Sequence, residues 1–371
     1  MVLSISMSAY NIRDTKSDIM SDALYLPEAG VLSEEQQFYL EALTSGTLQG
    51  IPLTVDDSSK SLGRAPSKSL YERWASLPLT EGDLLEPFQE IVDVIRKAKL
   101  QNPKQTPNLV VDQSAQEHIE AQNFNNPAML SQYFGYMVNE GLHTRRLEIL
   151  TDIVVHEIRE LISRNGRARV VNFGPGPFPL ERNIASKLSK EERMKTQLLA
   201  VDASEDLLRY GLARGFIDKA VAVDARIKTA GYFEEHLGEV DIAIFAEILE
   251  HIDNVGVVFQ KNILPWLRSA KASLIGSVPN AVQLAEVIPM LVGKGSPHQL
   301  ERPIFDEFSD HHSFFTASSL VSLLTNTWGY DDIGVLSNGV RLQAKGNTAH
   351  LRAGLTHVAC GDRLIFWARF K

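Results

Sequence analysis

Two glycines and two aspartates between residues 174 and 224 have types and spacing that suit the binding of a nucleoside. The run VVNFGPGPFP, at 170–179, is a strand-like stretch that enters a turn containing Gly174 and Gly176. Glycine lets the backbone adopt a positive φ and approach a ligand closely. Asp202 ends the strand-like run LLAVD, and Asp224 ends AVAVD. At such strand ends a carboxylate can accept ribose hydroxyls or meet an adenine edge, or it can simply cap the next helix.

The turn departs from two common phosphate-binding patterns. In the dinucleotide pattern G-x-G-x-x-G the third glycine would fall at position 179, where the chain has Pro179. Proline suits the first turn of a helix, which is the element expected here. The P-loop pattern needs Gly-Lys followed by Ser or Thr, and no such triplet follows. The turn therefore disfavours a hydride-carrying dinucleotide and a P-loop phosphate site.

Acidic and imidazole side chains follow in two clusters, AEILEH at 246–251 and DHHSFFT at 310–316. An imidazole titrates near pH 7 and can remove a proton from a hydroxyl or an acidic carbon. The candidate catalytic residues are His251, His311, His312 and Glu247. The same segments allow a second chemistry, the binding of a divalent metal ion by oxygen and imidazole ligands. That ligand set would be Glu247, Glu250 and His251 with His311 or His312.

The elements that must position these residues alternate between strand-like and helix-like after residue 166, which indicates an α/β layered sheet. Helix-compatible segments separate the first five strands, so these can be parallel with right-handed crossovers. The last strand can close the sheet as a hairpin partner of the sixth, and Thr316 is expected to cap the helix before the sixth. The seven predicted strands are 168–173, 197–203, 219–225, 241–246, 272–278, 330–336 and 363–370.

The sequence before these strands is predicted to be mainly helical. Residues 1–126 form a helical N-terminal region, in which 103–116 is a connector; its role could be a lid, a substrate wall or dimerisation. The α/β domain is expected at 127–371. It carries a substrate-covering insertion at about 279–315, because the connection before the histidines is longer than a simple crossover.

Composition and charge indicate a folded domain and disfavour one class of partner. The 371 residues are 44% hydrophobic, which is enough to bury a large core. The net charge is −9, and residues 1–150 hold 20 acidic against 12 basic side chains. Because binding to a nucleic-acid duplex needs a basic face, this charge disfavours a nucleic-acid partner.

The expected location is the cytoplasm. The single cysteine, Cys360, cannot form an intramolecular disulfide, so nothing indicates an oxidising compartment. The sequence shows neither a signal-peptide pattern nor an apolar run of 18 residues, so no membrane segment is expected.

Four motifs, in order, resemble those of class I S-adenosylmethionine-dependent methyltransferases, and the resemblance covers about residues 140–371. VVNFGPGPF resembles the first motif, an acid followed by G-x-G-x-G, and LLAVDAS resembles the ribose-binding second motif. DIAIFAEILEHI, at 241–252, is similar to the fourth-strand motif of the subfamily with Glu-x-Leu-Glu-His. HHSFFTASSLVSLLTNTWGY, at 311–330, resembles the segment that introduces the final helix and sixth strand.

The resemblance implies a seven-stranded Rossmann-like methyltransferase sheet, mostly parallel with an antiparallel last strand. It implies methyl transfer from S-adenosylmethionine to an oxygen, nitrogen or carbon atom of a small molecule or peptide. Specialised metabolism is the expected context, and a homodimer is left open. The implied cofactor-binding residues are Asn172, Phe173, Gly174, Pro175, Gly176, Asp202, Ala203, Asp224, Ala225, Ala246 and Glu247.

Two positions depart from the family pattern: Asn172 replaces the acid, and Phe178 replaces the third glycine. An amide can still form hydrogen bonds, but it supplies no charge. A non-catalytic scaffold that binds the cofactor is therefore one alternative.

A metal-dependent enzyme is the other alternative. The acid and histidine set resembles the metal site of small-RNA 3′-terminal 2′-O-methyltransferases. A small-molecule enzyme similar to the iron-dependent keto-acid C-methyltransferases fits the charge better. Glu-x-Leu-Glu-His also occurs in metal-free relatives such as the ubiquinone-pathway O-methyltransferases, so no metal is the favoured expectation.

Overall fold

The computed structural model describes residues 24–25, 108–115, 141–283, 287, 311–344, 347–351 and 361–370. The helical patterns predicted within 1–126, and the part of the predicted insertion at 288–310, lie outside the described residues. In this part of the chain the strands are β1 (Leu24–Tyr25), β2 (Leu109–Val111), β3 (Ala168–Phe173), β4 (Thr196–Asp202), β5 (Lys219–Ala222), β6 (Ile242–Ala246), β7 (Ser273–Pro279), β8 (Asp332–Ser337), β9 (Val340–Ala344), β10 (Asn347–Leu351) and β11 (Arg363–Arg369).

The central sheet has eight strands in the order β2-β5-β4-β3-β6-β7-β11-β8. The pairs from β2 to β7 are all parallel, which places the carboxyl ends of these six strands at one edge. β11 lies between β7 and β8 and is antiparallel to both. The prediction of a mostly parallel sheet with an antiparallel last strand is confirmed.

The predicted strand count of seven is wrong, because β2 adds an eighth strand. All seven predicted segments form strands, but part of the predicted connector at 103–116 also pairs with the sheet. Leu109 is in register with Ala220, and Val111 with Ala222. A three-residue strand has too few apolar residues to show a periodic pattern, so its partner strand decides its structure.

Helices cover both faces of the sheet. Their sequences begin with recognisable caps: Thr316 accepts a hydrogen bond from the amide of Ser319, as predicted, and Pro179 occupies the first position of its helix. The helices are α1 (Gly141–Asn165), α2 (Pro179–Lys187), α3 (Lys190–Met194), α4 (Glu205–Ala213), α5 (Ala230–Leu237), α6 (Val255–Asn262), α7 (Leu264–Ser269) and α8 (Ala317–Ser322), with a 3₁₀ turn at Leu249–His251 and a π-helical turn at Leu323–Thr327.

Two apolar layers bury the sheet, because successive residues of a strand point to opposite faces. In β3, Val170 belongs to the core that contains α1, α2 and α4 residues. Val171 and Phe173 belong to the core on the other face, which contains residues of α5 to α8. A separate three-stranded sheet, β1-β10-β9, is antiparallel throughout.

The close packing of α4 on the glycine turn can be tested by Gly211→Ala. An added Cβ would lie 2.5 Å from Cζ of Phe178. We expect the free energy of unfolding to fall by about 1 to 2 kcal/mol, because overpacking outweighs the gain of roughly 1 kcal/mol in helix propensity. Urea denaturation measures the change. In the matched variant Gly231→Ala, nothing lies within 4 Å of the added Cβ, so stability should be kept or increased. Equal stability of the two variants would contradict this packing.

Candidate cofactor and acceptor site

The turn between β3 and α2 has a left-handed backbone at Gly174, Gly176 and Phe178, with φ of 62°, 56° and 66°. The amide of Gly174 donates to the carbonyl of Val201 at 2.8 Å, so the turn continues the pairing of β3 with β4. An added Cβ at Gly174 would lie 2.5 Å from Cδ1 of Ile248, which follows β6. Glycine is therefore favoured at 174 by both conformation and space.

Phe178 keeps the backbone conformation that a glycine would supply at its position. Its side chain is fully buried in the core against Gly211 of α4, near Tyr210. A left-handed backbone at a non-glycine residue costs about 1–2 kcal/mol. Burial of a phenylalanine side chain contributes about 1.5–3 kcal/mol, which offsets that cost. The replacement of the third glycine thus preserves the path of the turn.

Asp202 ties the end of β4 to the glycine turn. Its carboxylate accepts hydrogen bonds from the backbone amides of Ser204, at 2.7 Å, and of Gly176 and Ala203. Burial raises the pKa of Asp202 to about 6, although these amide donors favour the charged form. At pH 7 the group is therefore mostly ionised and can accept hydrogen bonds from a ligand.

Asp224 is held by Arg226 in a two-point ion pair. Oδ1 of Asp224 accepts from Nε of Arg226 at 2.9 Å, and Oδ2 accepts from Nη2 at 2.8 Å. The amide of Asp224 also donates to Oγ of Ser114, at 3.4 Å, just after β2. The structure thus places the predicted adenine-side aspartate against two residues that the sequence did not single out.

A repeated sequence pattern could have indicated this part of the site. Asp112, which follows β2, ends the run LVVD, and this run has the form of LAVD at β4 and VAVD after β5. Hydrogen bonds from Ser114 lower the pKa of Asp112 to about 2. Nζ of Lys228 lies 3.0 Å from Oδ2 of Asp112. Three neighbouring strands therefore end in the same apolar–apolar–aspartate pattern.

The carboxylate of Glu247 lies between two nearly buried arginines. Oε1 is 3.2 Å from Nη1 of Arg146 and accepts from Oγ of Ser277 at 2.9 Å. Oε2 accepts from Nε of Arg363 at 2.7 Å. The backbone of Glu247 is left-handed, with φ 57°, which turns the chain away from β6. Arg146 and Arg363 are site residues that sequence analysis missed, because α1 and β11 lie far from Glu247 in the chain.

Glu250, His251 and His311 form a compact group next to this ion pair. Their potential ligand atoms lie within 4.8 Å of one another, and the two imidazole rings are 4.9 Å apart. Glu250 is 2% exposed, and among the described residues its Oε2 has no hydrogen-bond donor. Burial, and then repulsion from Glu247, raises the pKa of Glu250. Glu247 is not part of the group, so three residues of the predicted four-ligand set come together.

His312 lies apart from this group. Its Nδ1 is 3.1 Å from Oδ1 of Asp253, and the two side chains are 38% and 66% exposed. Its amide donates to the carbonyl of Glu250 at 2.7 Å, as does the amide of Ser313 at 3.0 Å. These hydrogen bonds hold the segment that carries the histidines against the 3₁₀ turn. His311 then lies beside His251, and His312 lies towards solvent.

Asn172 pairs with Glu181, a buried acid that the sequence did not indicate as a site residue. Nδ2 of Asn172 donates to Oε1 of Glu181 at 2.6 Å, and the two residues are 3% and 2% exposed. Burial raises the pKa of Glu181 to about 7. An acidic residue is thus absent from position 172 but present in the first turn of α2, beside Asn172.

The other predicted cofactor residues lie at the same edge of the sheet. Phe173 is the last residue of β3, but its ring is stacked on Phe245 at 4.5 Å and belongs to the core. Ala246 is the last residue of β6. Pro175, Ala203 and Ala225 lie in the loops after β3, β4 and β5.

Solved structures similar to this chain are S-adenosylmethionine-dependent methyltransferases. One is a SAM-dependent methyltransferase from Archaeoglobus fulgidus, at 16% identity over 59% of this chain and 94% of that one, with a TM-score of 0.34. The CurJ carbon methyltransferase has 12% identity over 91% and 98%, with a TM-score of 0.40. The plantazolicin methyltransferase BpumL in complex with SAH has 15% identity over 76% and 99%, with a TM-score of 0.42.

No family model and no curated protein sequence matches this chain. Across the described residues, no helix has the length and apolar character needed to cross a membrane.

The ion pairs around Glu247 predict a large stability effect at this position. Glu247→Gln should lower the free energy of unfolding by about 3 kcal/mol, because the nearly buried guanidinium group of Arg146 loses its counter-charge and that of Arg363 is left with Asp362, at 3.3 Å. Asp253→Asn, which removes the charge from an exposed pair with His312, should change it by less than about 1 kcal/mol. Urea denaturation at pH 7 compares the two variants. Similar values for both would contradict a structural role for Glu247.

Proposed function

We propose that this protein is a methyltransferase that transfers a methyl group from S-adenosylmethionine to an oxygen, nitrogen or carbon atom of a small molecule or peptide. The observation that carries the proposal is the link from Asp202 to the amide of Gly176 in the glycine turn. His251 follows β6 at the same edge of the sheet, and the ring of His311 lies 4.9 Å from the ring of His251. Ligands of open parallel sheets bind at this edge.

The residues at the first half of the edge fit the proposed cofactor. Gly174 and Gly176 let the backbone of the turn approach a ligand closely, and Asp202 offers a carboxylate to ribose hydroxyls. The ion pair with Arg226 fixes Asp224 where an adenine edge would be recognised. Next to the turn, Oδ1 of Asn172 and Oε2 of Glu181 are buried acceptors without a donor among the described residues. When bound, S-adenosylmethionine supplies an electrophilic methyl group.

The second half of the edge suits proton removal from an acceptor. A methyl acceptor that is a hydroxyl or an acidic carbon must lose a proton, and His251 and His311 can receive it near neutral pH. The hydrogen bonds from the 312–313 amides to the carbonyl of Glu250 hold the histidine segment in place. Such a fixed position favours catalysis, because alignment of reacting groups is the main requirement of this displacement.

The two departures from the family pattern are compatible with activity. Phe178 preserves the left-handed backbone of the turn, and Glu181 supplies the acid that Asn172 lacks. These contacts weaken the case for a non-catalytic scaffold.

Three expectations stay predictions from the sequence. They are a lid, substrate or dimerisation role for 1–126, a cytoplasmic location and a place in specialised metabolism.

Cofactor binding provides the first test. Calorimetric titration should detect binding of S-adenosylmethionine and S-adenosylhomocysteine by the wild type. Asp202→Ala should weaken it by about 100-fold or more, because two hydrogen bonds to a charged group are worth roughly 3 kcal/mol. Asp331→Ala is the matched control: this exposed aspartate lies at the amino edge of the sheet, so affinity should be kept.

Turnover separates an enzyme from a scaffold. Release of S-adenosylhomocysteine is measured over a panel of hydroxylated, amine, thiazole-containing peptide and keto-acid acceptors. Absence of cofactor binding by the wild type would contradict the proposed function. Repeated turnover with any acceptor would contradict the scaffold.

A metal-assisted version of the reaction is a second candidate, favoured by the grouping of Glu250, His251 and His311. One carboxylate oxygen and two imidazole nitrogens form a donor set that suits Fe²⁺, Mn²⁺ or Zn²⁺. The buried Oε2 of Glu250 has no donor in the described part of the chain, which fits a role as a ligand atom. A metal ion there would act as a Lewis acid on an acceptor oxygen. The net charge of −9 favours a keto acid over RNA as the acceptor of this version.

Metal content tests this candidate. Elemental analysis should find about one divalent ion per chain, and EDTA should remove both the ion and the activity. His311→Ala should lose the ion, whereas His312→Ala should retain it, because only His311 belongs to the three-residue group. A metal-free purified protein that stays active would contradict the metal-assisted version and leave methyl transfer itself intact.

A further inference from the structure

The buried pair of Asn172 and Glu181 lies across the glycine turn. Asn172 is the second-last residue of β3, and Glu181 is the third residue of α2, so the turn with Gly174 and Gly176 runs between them. Nδ2 of Asn172 donates to Oε1 of Glu181 at 2.6 Å. A ligand group bound at the turn therefore lies close to the carboxyl group of Glu181.

The pair of Asn172 and Glu181 has more buried hydrogen-bond acceptors than donors. Within the described ranges, neither Oδ1 of Asn172 nor Oε2 of Glu181 has a donor, although both atoms are buried. A carboxylate offers only acceptors, whereas a protonated carboxyl group has one donor. A proton on Glu181 would remove the buried charge and supply that donor, and burial raises the pKa of Glu181 to about 7.

The charged groups around Glu181 are engaged elsewhere. Asp202 of β4 accepts hydrogen bonds from backbone amides. The other charged side chains with their own partners are Arg145, Arg146, Glu148 and Asp152 of α1, Arg182 and Lys187 of α2, and Glu205 and Arg209 of α4. A cation that arrives at the turn would therefore be the unmatched partner of Glu181.

The turn itself disfavours a cation without such a partner. The amino end of α2 carries a partial positive charge that attracts anions and repels cations. Position 172 supplies an amide and no charge, so the negative charge nearest the turn on this side comes from α2 itself. A ligand with an ammonium group would need the ionised form of Glu181.

We propose that Glu181 is a positioning residue that holds a proton in the free protein and releases it to the solvent when the ammonium group of the cofactor binds at the turn. This inference rests on the proposed function. A positive charge about 7 Å away, at an effective dielectric constant of about 20, favours ionisation roughly 50-fold. Cofactor affinity should therefore rise with pH across the range in which Glu181 titrates.

Calorimetry with S-adenosylhomocysteine tests the release of the proton. Titrations at pH 6.5 in buffers of different ionisation enthalpy should show about 0.7 more protons released by the wild type than by Glu181→Gln. Between pH 6 and pH 8 the affinity of the wild type should increase roughly fivefold to tenfold relative to that of the variant. The free ligand is the same in both experiments and its amino group is mostly protonated at pH 6.5, so the difference in released protons reports the effect of Glu181 in the bound state.

Two controls separate this role from a structural one. 5′-Methylthioadenosine has no amino-acid group, so the wild type and Glu181→Gln should bind it with equal affinity and equal proton release. The double variant Asn172→Asp/Glu181→Gln moves the acid back to the strand, and it should recover the pH dependence for S-adenosylhomocysteine. Equal proton release by the wild type and Glu181→Gln, with binding intact, would overturn the inference and leave the proposed function standing.

Stability measurements guard against a folding defect. The folded-state pKa of Glu181 is raised, so the ionised group lowers stability above its unfolded pKa of about 4.5, and the loss is complete above about 7. Glu181→Gln should therefore match the wild type at pH 4 and be more stable at pH 8. A variant that is less stable at pH 8 would contradict a buried, proton-binding Glu181. Absence of S-adenosylhomocysteine binding by the wild type would instead contradict the proposed function.

Discussion

Parallel hydrogen bonding in the central sheet is the constraint on which the site depends. Because β2, β5, β4, β3, β6 and β7 run in one direction, every connection between them must cross back to the amino edge. Their carboxyl ends then meet, and each strand contributes its terminal residues to one surface. The glycine turn, Asp202, Asp224 and the 3₁₀ turn with His251 are far apart in the chain but adjacent in strand order.

The two halves of this edge differ in how they stabilise buried charge. Near the histidines, the carboxylate of Glu247 is compensated by Arg146 and Arg363, so ions pair with ions. Near the glycine turn, the carboxyl groups of Asp202 and Glu181 accept hydrogen bonds from amide groups, and desolvation raises the pKa of both. The first arrangement balances charge with charge, whereas the second uses amide donors, which carry no net charge.

The strands and their ends could be predicted from the sequence, because runs of four to eight apolar residues are a local signal. Thr316 as a helix cap and Asp202 at a strand end are equally local. Glu181 was not predicted, since an acid in the first helical turn is ordinary in sequence and becomes notable only when Asn172 is opposite. The roles of Arg146 and Arg363 could not be predicted for a related reason. Their partner, Glu247, is more than a hundred residues away along the chain.

The short strand β2 changes how the chain can be divided. It lies before residue 127, in the part expected to be a separate helical region, yet it pairs with β5 and brings Ser114 to the amide of Asp224. A fragment cut at 127 would keep every motif of the methyltransferase pattern but expose the backbone of β5 as a new sheet edge, which invites pairing with other chains. A fragment that is to keep β5 covered and the Asp224 side of the edge intact must begin before residue 108.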